Sequence, residues 1–167
     1  VDGAIFARKN FQWNMNLNAT HYQNVITNLP QAEMNAGVFK WREGQSRYNF
    51  WGTKYAGVNP LNGNDQYWMN VYDTNSDGEK VIVDRILTEN TSEVTSDDQK
   101  QYLGSSLPLV FGGYTNTFKF YGVDLSFMLY YSIGGLLYDT DYSQMVSYRQ
   151  GFGLHKDALY DSWTPEN

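Results

Sequence analysis

The chain has no cysteine, only 2 His in 167 residues, no basic run, and no apolar stretch approaching the length of a membrane helix. Each shortage excludes something. Without cysteine there can be no disulfide staple, thiolate nucleophile or cysteine zinc site, although this says nothing about the compartment. His21 and His155 are isolated and no G-x-S-x-G elbow accompanies them, so the machinery of a serine hydrolase is missing. A net charge of -6 with scattered Lys and Arg argues against nucleic acid as a partner, because neutralising phosphates requires grouped cations. A membrane helix needs roughly 20 apolar residues, so any spanning element here must be a strand of about 9 to 11 residues. The missing hydropathy peak therefore leaves a membrane location open. No signal peptide can be read, and the chain, opening at Val1 and closing at Trp163-Thr164-Pro165-Glu166-Asn167, reads as a single segment over 1-167 excised from something longer.

What is abundant is aromatic: 17% of the residues, with 14 Tyr and 5 Trp, a load that suits strands, interfacial belts or sugar-stacking surfaces. The stretch from Tyr114 to Tyr131 predicts a hairpin about Tyr121-Gly122, with Phe120 facing Val123, Lys119 facing Asp124, Phe118 facing Leu125 and Thr117 facing Ser126. Because strand side chains alternate between faces, Phe118, Phe120, Val123, Leu125, Phe127, Leu129 and Tyr131 share an apolar face, while Thr115, Thr117, Lys119, Asp124 and Ser126 share a polar one. Tyr is not ideal at the first turn position, so a longer loop with a bulge is the alternative. Phe11 to Thr20 alternates without a fault, and its polar positions are amides and hydroxyls rather than charges. That pattern fits either a polar lumen or an ordinary half-exposed strand.

Ala32 to Trp41 reads as one weaker strand, Glu43-Gly44-Gln45 as a turn, and Tyr48 to Trp51 as a short strand. From Gly52 to Pro108 the periodicity fails outside Lys80 to Leu87, predicting a long loop region. Asp139 to Asn167 reads as a second loop-like region with a short helix around Lys156 to Ser162. The expected class is all-β, with antiparallel strands and long loops.

Asp73-Thr74-Asn75-Ser76-Asp77-Gly78 begins like a calcium loop, in which oxygens at alternate positions converge on a hard cation and Gly allows the sharp turn. The candidate ligands are Asp73, Asn75, Asp77, the carbonyl of Glu79, and Asp84, with calcium the implied ion. An Asx-rich turn without an ion fits the same residues, and Asp84 stands where Glu normally reaches in. Trp51, Tyr55, Tyr67, Trp68 and Tyr72 are the candidate ligand-binding aromatics, able to stack on a sugar ring, with loop packing or an interfacial girdle as the plainer alternative. Gly112-Gly113 and Gly151-Phe152-Gly153 lack the context of a phosphate loop and read as local flexibility.

Taken in order, these segments resemble the C-terminal half of a SusC/RagA-type TonB-dependent outer-membrane transporter of the Bacteroidetes. The residues carrying the resemblance are Phe11-Gln12-Trp13 with its Asn-rich strand, Glu43-Gly44-Gln45 through Tyr55 to Gly63, Asp73 to Gly78 with Asp84-Arg85, Tyr102 to Pro108, the hairpin itself, and Trp163 to Asn167. The insert from Ile86 to Gln101 is longer than the family spacing. The resemblance implies part of a transmembrane β-barrel of roughly 22 strands, of which this chain would supply about five or six. It further implies an outer-membrane location, no enzymatic activity, a SusD-like lipoprotein partner, TonB engaged through segments not present here, contact with outer-membrane lipid, and a glycan or peptide nutrient as cargo. Tyr121-Gly122 would then be a periplasmic turn, with Tyr55 to Leu107 and the chain from Asp139 onward extracellular. A secreted calcium-dependent carbohydrate-binding β-sandwich is the alternative, and a glycosidase comes third.

Overall fold

The structure is a computed structural model that describes residues 1–166; Asn167, the last residue of the Trp163 to Asn167 element, lies outside the described residues. Its strands are β1 (Asp2–Arg8), β2 (Phe11–Thr20), β3 (Glu33–Ala36), β4 (Phe39–Arg42), β5 (Asn49–Gly52), β6 (Tyr55–Val58), β7 (Asp65–Thr74), β8 (Lys80–Thr88), β9 (Gln101–Ser105), β10 (Val110–Phe120) and β11 (Val123–Ile133). Two short helices follow, α1 (Thr140–Val146) and α2 (Asp157–Tyr160). The chain divides into two compact units, Val1–Asn49 with Gly104–Leu136, and Phe50–Leu103 with Leu137–Asn167.

The first unit is dominated by an antiparallel sheet in the order β1-β2-β10-β11. Its register matches the sequence expectation pair for pair: Phe120 faces Val123, Lys119 Asp124, Phe118 Leu125 and Thr117 Ser126. The turn between them is the tight two-residue form, with Tyr121 at φ 45° and Gly122 at φ 85°. A left-handed Tyr costs on the order of 1 kcal/mol. Tyr121 offsets part of that through its amide bond to the Asn10 carbonyl (3.3 Å) and its ring edge on Phe120 (4.6 Å between centroids). β2 pairs on both sides, with β1 through Phe11–Arg8 and with β10 through Trp13–Phe118. β1 is a strand that the sequence reading left out.

The expected single strand from Ala32 to Trp41 is instead the hairpin β3-β4, turned at Gly37 (φ 65°) and Val38. Lys40 is almost wholly buried there (3% exposed), with its Nζ 2.7 Å from Glu33 Oε1. Burial of an ammonium is tolerable only with such a partner.

The second unit corrects the expected long loop. Within Gly52 to Pro108, β6, β7 and β8 form an antiparallel sheet, and β9 lies beside β5. The signal was hidden because Gln66 to Tyr72 is covered throughout rather than on alternate faces, and because a register shift interrupts β7 and β8 at Val71/Tyr72. A strand covered on both sides lacks the period-2 pattern. Phe50 and Val94 are the buried apolar side chains of this unit, and Val94 (2% exposed) belongs to the long insert. The insert is thus folded inward and held by Thr53, whose hydroxyl donates to the Val94 carbonyl at 2.9 Å. The expected helix at Lys156 to Ser162 is found as α2; α1, capped by Asp139 on the Tyr142 amide at 2.8 Å, was not anticipated.

Candidate functional site

The first candidate surface is the β1-β2-β10-β11 sheet. The register places Phe11, Trp13, Met15, Leu17, Phe118, Phe120, Val123, Leu125, Phe127 and Leu129 on one face, and Gln12, Asn14, Asn16, Thr115, Thr117, Lys119, Asp124 and Ser126 on the other. The apolar face carries no covering layer: Leu125 and Leu129 are each 57% exposed. Its rings gather toward the turns, where Trp13 stacks on Phe118 (5.5 Å) and Phe118 on Phe127 (6.1 Å), with Phe11 beside Phe118 and Phe120 (6.4 and 6.2 Å). Asn116 is the polar exception on this face of β10, and it is shielded: only 2% exposed, its Oδ1 accepts from Trp13 Nε1 at 2.9 Å.

Gly112 and Gly113 are strand residues chosen for space, not flexibility. Tyr131 reaches across Gly112 to donate to the Asn18 carbonyl at 2.7 Å. A Cβ on Gly112 would lie 2.0 Å from that carbonyl oxygen and 2.7 Å from the Tyr131 hydroxyl. Gly113 donates to Asn18 Oδ1 at 3.0 Å. The two β-turns, at Lys9-Asn10 and Tyr121-Gly122, lie at the same end of the sheet, tied by the Tyr121 to Asn10 bond. At the other end β2, β10 and β11 run into longer segments.

The second unit holds the residues singled out as ligand-binding candidates. It sorts them into local pairs rather than one platform. Trp51 meets Tyr102 edge to face at 4.8 Å and donates from Nε1 to Asp97 at 3.0 Å. Tyr55 meets Tyr67 at 5.6 Å and donates its hydroxyl to Asp65 at 3.1 Å. Tyr72 lies under the Lys80 ammonium (4.2 Å to the centroid) and donates to the Asp98 carbonyl. The Trp68 amide donates to the Lys54 carbonyl at 2.9 Å. Lys80 and Asp98 are ion-paired at 2.8 Å; the Lys80 ammonium, followed by the Ser96 hydroxyl, holds the Asp98 carboxyl below its ordinary range. Asn70 ties this insert to β7: its amide donates to Gln99 Oε1 at 2.6 Å, and Gln99 Nε2 returns a bond to its carbonyl at 3.1 Å.

Several of the candidate calcium ligands accept hydrogen bonds from nearby backbone amides. Asn75 Oδ1 accepts from the amides of Asp77 (3.0 Å) and Glu79 (2.8 Å), Asp73 Oδ1 accepts from Thr74, and Asp84 Oδ1 from Arg85, each at 2.7 Å. Gly78 takes the left-handed turn position at φ 80°. Among the described residues no group of three or more His, Cys, Asp or Glu is placed to hold a metal. The bonds at Asn75 are those of an Asx turn.

A cluster the sequence reading missed centres on Glu89. Its carboxylate accepts from the side-chain amides of Asn59, Asn62 (2.9 Å) and Asn64 (2.8 Å). These bonds, Asn59 first and then Asn64 and Asn62, hold its carboxyl below the ordinary 4.5. On the other side of the same loop, Trp163 Nε1 donates to the Pro60 carbonyl at 3.1 Å, and its ring closes over Gly63 so tightly that a Cβ there would sit 2.5 Å away. The spacing of Asn59, Asn62 and Asn64 around a Gly-containing turn was the available signal; the partners lie far along the chain.

No protein-family model matches the chain, and no curated protein does. Solved structures do. The chain is similar to a chain of the RagAB peptide transporter, with a TM-score of 0.72 and 21% identity over 99% of this chain and 18% of that one. The likeness is one of fold. It extends to the RagAB peptide importer in its closed-closed state (TM-score 0.61, 21% identity, 80% of this chain and 14% of that one) and in its open-open state (0.57, 18%, 80% and 14%). The chain therefore spans less than a fifth of the length of these transporter chains. The fold is all-β and antiparallel, and the described residues do not close a barrel.

Proposed function

We propose that this chain is a stretch of wall and extracellular loop from an outer-membrane, TonB-dependent nutrient transporter of the SusC/RagA type, without enzymatic activity of its own. The observation that carries the reading is the bare apolar face of the β1-β2-β10-β11 sheet. β10 and β11 each hold 11 residues. At about 3.4 Å per residue and a tilt of about 40°, a strand of that length rises about 26 Å, close to the roughly 25 Å apolar band of such barrels. Ring-bearing residues collect at the turn end, as an interfacial girdle does. Short turns at one end and long segments at the other give the sidedness of an outer-membrane barrel: Lys9-Asn10 and Tyr121-Gly122 periplasmic, Tyr55 to Leu107 and the chain from Asp139 outward extracellular. The domain reading that follows is one barrel segment over the whole chain.

A peptide cargo is favoured over a glycan by the description of the structural neighbours and by the aromatic candidates, of which Trp51 meets Tyr102, Tyr55 meets Tyr67 and Tyr72 meets Lys80 instead of all forming one stacking platform. A SusD-like lipoprotein as partner and TonB as energy source belong to this reading through segments outside the chain. The alternative, a secreted carbohydrate-binding sandwich, would bury Leu125 and Leu129 under a second sheet; both are instead exposed.

The test uses the full-length transporter in cells. Deleting it should abolish growth on a peptide source while growth on simple nutrients persists; undiminished growth on peptides and on every complex glycan would remove the transport reading. This stretch has no cysteine of its own, so Asp77→Cys and Lys9→Cys give clean sidedness probes. A membrane-impermeant maleimide should label the first on intact cells and the second only after permeabilisation.

A further inference from the structure

At the turn end of the sheet the apolar face carries charge of one sign. Arg8 closes β1 opposite Phe11, and its guanidinium lies over the Phe6 ring, 5.1 Å from the centroid. Lys9 follows in the turn, at the lip of a hollow of about 400 Å³ lined also by Phe11, Lys119, Phe120, Tyr121 and Asp124. Asp124 is taken by Lys119 at 3.4 Å on the polar face. Among the described residues neither Arg8 nor Lys9 has a carboxylate within ion-pair distance. They share this with most of the chain's 12 Lys and Arg, but these two are adjacent in sequence and sit at the ring-rich turn end of the sheet.

We propose that Arg8 and Lys9 form a binding site for the phosphate of a glycerophospholipid in the leaflet at the short-turn end, with Phe6, Phe11, Phe120 and Tyr121 packing on its glycerol and upper acyl chains. The inference rests on the barrel-wall reading above. The chemistry is complementary on each side. A guanidinium offers a planar fork to a phosphate, and its stem and the ring beneath it stay in apolar surroundings. Rings at the interface suit the level where headgroup meets hydrocarbon. Asp124, the acid that lines the hollow, is paired with Lys119 among the polar-face residues, so its charge is balanced there. Lys119 is excluded from the site for the same reason.

The experiment reconstitutes the full-length transporter in nanodiscs of phosphatidylglycerol and phosphatidylcholine, transfers it to detergent, and counts retained phosphatidylglycerol by native mass spectrometry. The Arg8→Gln/Lys9→Gln double variant should retain this lipid roughly 30-fold more weakly, given the usual attraction of each cation to an anionic surface. Lys119→Gln, on the polar face, should retain it as the parent does. Insertion of the double variant with undiminished retention overturns the lipid site alone, as does an equal loss in Lys119→Gln. Failure of the parent protein to insert overturns the wall reading and the site together.

Discussion

Leu129 and Met128 are neighbours on β11, both well exposed (57% and 67%), yet the register puts them on opposite faces of the sheet. Leu129 faces Tyr114 on the apolar side, and Met128 faces Thr115 on the polar side. Replacing each in turn by Lys therefore asks which face meets lipid. At about 3.4 Å per residue and a tilt of about 40°, Leu129 stands about 16 Å above Val123, near the middle of the band. A Lys at the bilayer midplane of a barrel costs about 2 to 4 kcal/mol. Met128→Lys, turned to a polar lumen, should stay within about 0.5 kcal/mol, as exposed substitutions usually do. The two variants should thus differ by roughly 30-fold to several hundred-fold in their folding equilibrium. The assay is a urea titration of the full-length transporter folded in lipid vesicles, followed by tryptophan fluorescence. A soluble half-exposed sheet would accept both changes about equally. Equal midpoints for Leu129→Lys and Met128→Lys would therefore refute the assignment of faces, whatever the neighbours' function.

The remaining predictions use other parts of the chain. Gly112→Ala should destabilise the folded protein by about 1 to 3 kcal/mol, because its methyl meets the Asn18 backbone carbonyl, which cannot swing aside. Gly113→Ala meets only the Asn18 side-chain amide, at 3.3 Å, and should cost less in the same thermal melt. Glu89→Ala leaves the Asn59, Asn62 and Asn64 amides without their shared acceptor and should increase protease cutting between Asn59 and Asn64. Because the folded Glu89 carboxyl is held below its ordinary 4.5, the clamp contributes fully above that pH and is lost as pH falls through the lowered value; in the parent, cutting should rise only on that acid side. If the Asx turn at Asn75 stands on its amide bonds alone, calcium and chelator should leave the melting temperature unchanged, whereas a calcium-dependent rise would support the cation-loop reading.

The hairpin was legible because its pattern is local: alternation fixes the faces, and a one-residue slip would reverse every side chain. The pairing of Lys119 with Asp124 and of Phe118 with Leu125 followed from that alone. Where the sequence reading failed, the cause was non-local. β7 is met at Asn70 and Tyr72 by Gln99 and Asp98 of the insert, and its coverage runs uniformly from Gln66 to Tyr72 instead of alternating. The split of Ala32 to Trp41 into two strands turned on one left-handed glycine, Gly37. Gly112 looked flexible because nothing near it in sequence reveals that Tyr131 crosses over it. The candidate aromatics were legible as residues but not as pairs, since Trp51 finds Tyr102 across a long span of chain.

The scarcity of buried apolar side chains is itself an argument about environment. The residues are 41% hydrophobic, yet among the described residues Phe50 (9% exposed) and Val94 (2%) are the buried apolar side chains. On β11 alone, Val123, Leu125, Phe127, Leu129 and Ile133 share one face and remain 42 to 67% exposed. Covering the exposed half of each is worth roughly 1 kcal/mol, so this single strand forgoes about 5 kcal/mol in water. That is comparable with the whole stability of a small domain. A sheet so built is favoured only where something apolar covers that face along its full height. The opposite face makes the complementary demand: its amides, hydroxyls, Lys119 and Asp124 need water or polar partners. A wall with both requirements, joined at one end by tight turns, is what the proposed barrel between lipid and an aqueous lumen would accommodate.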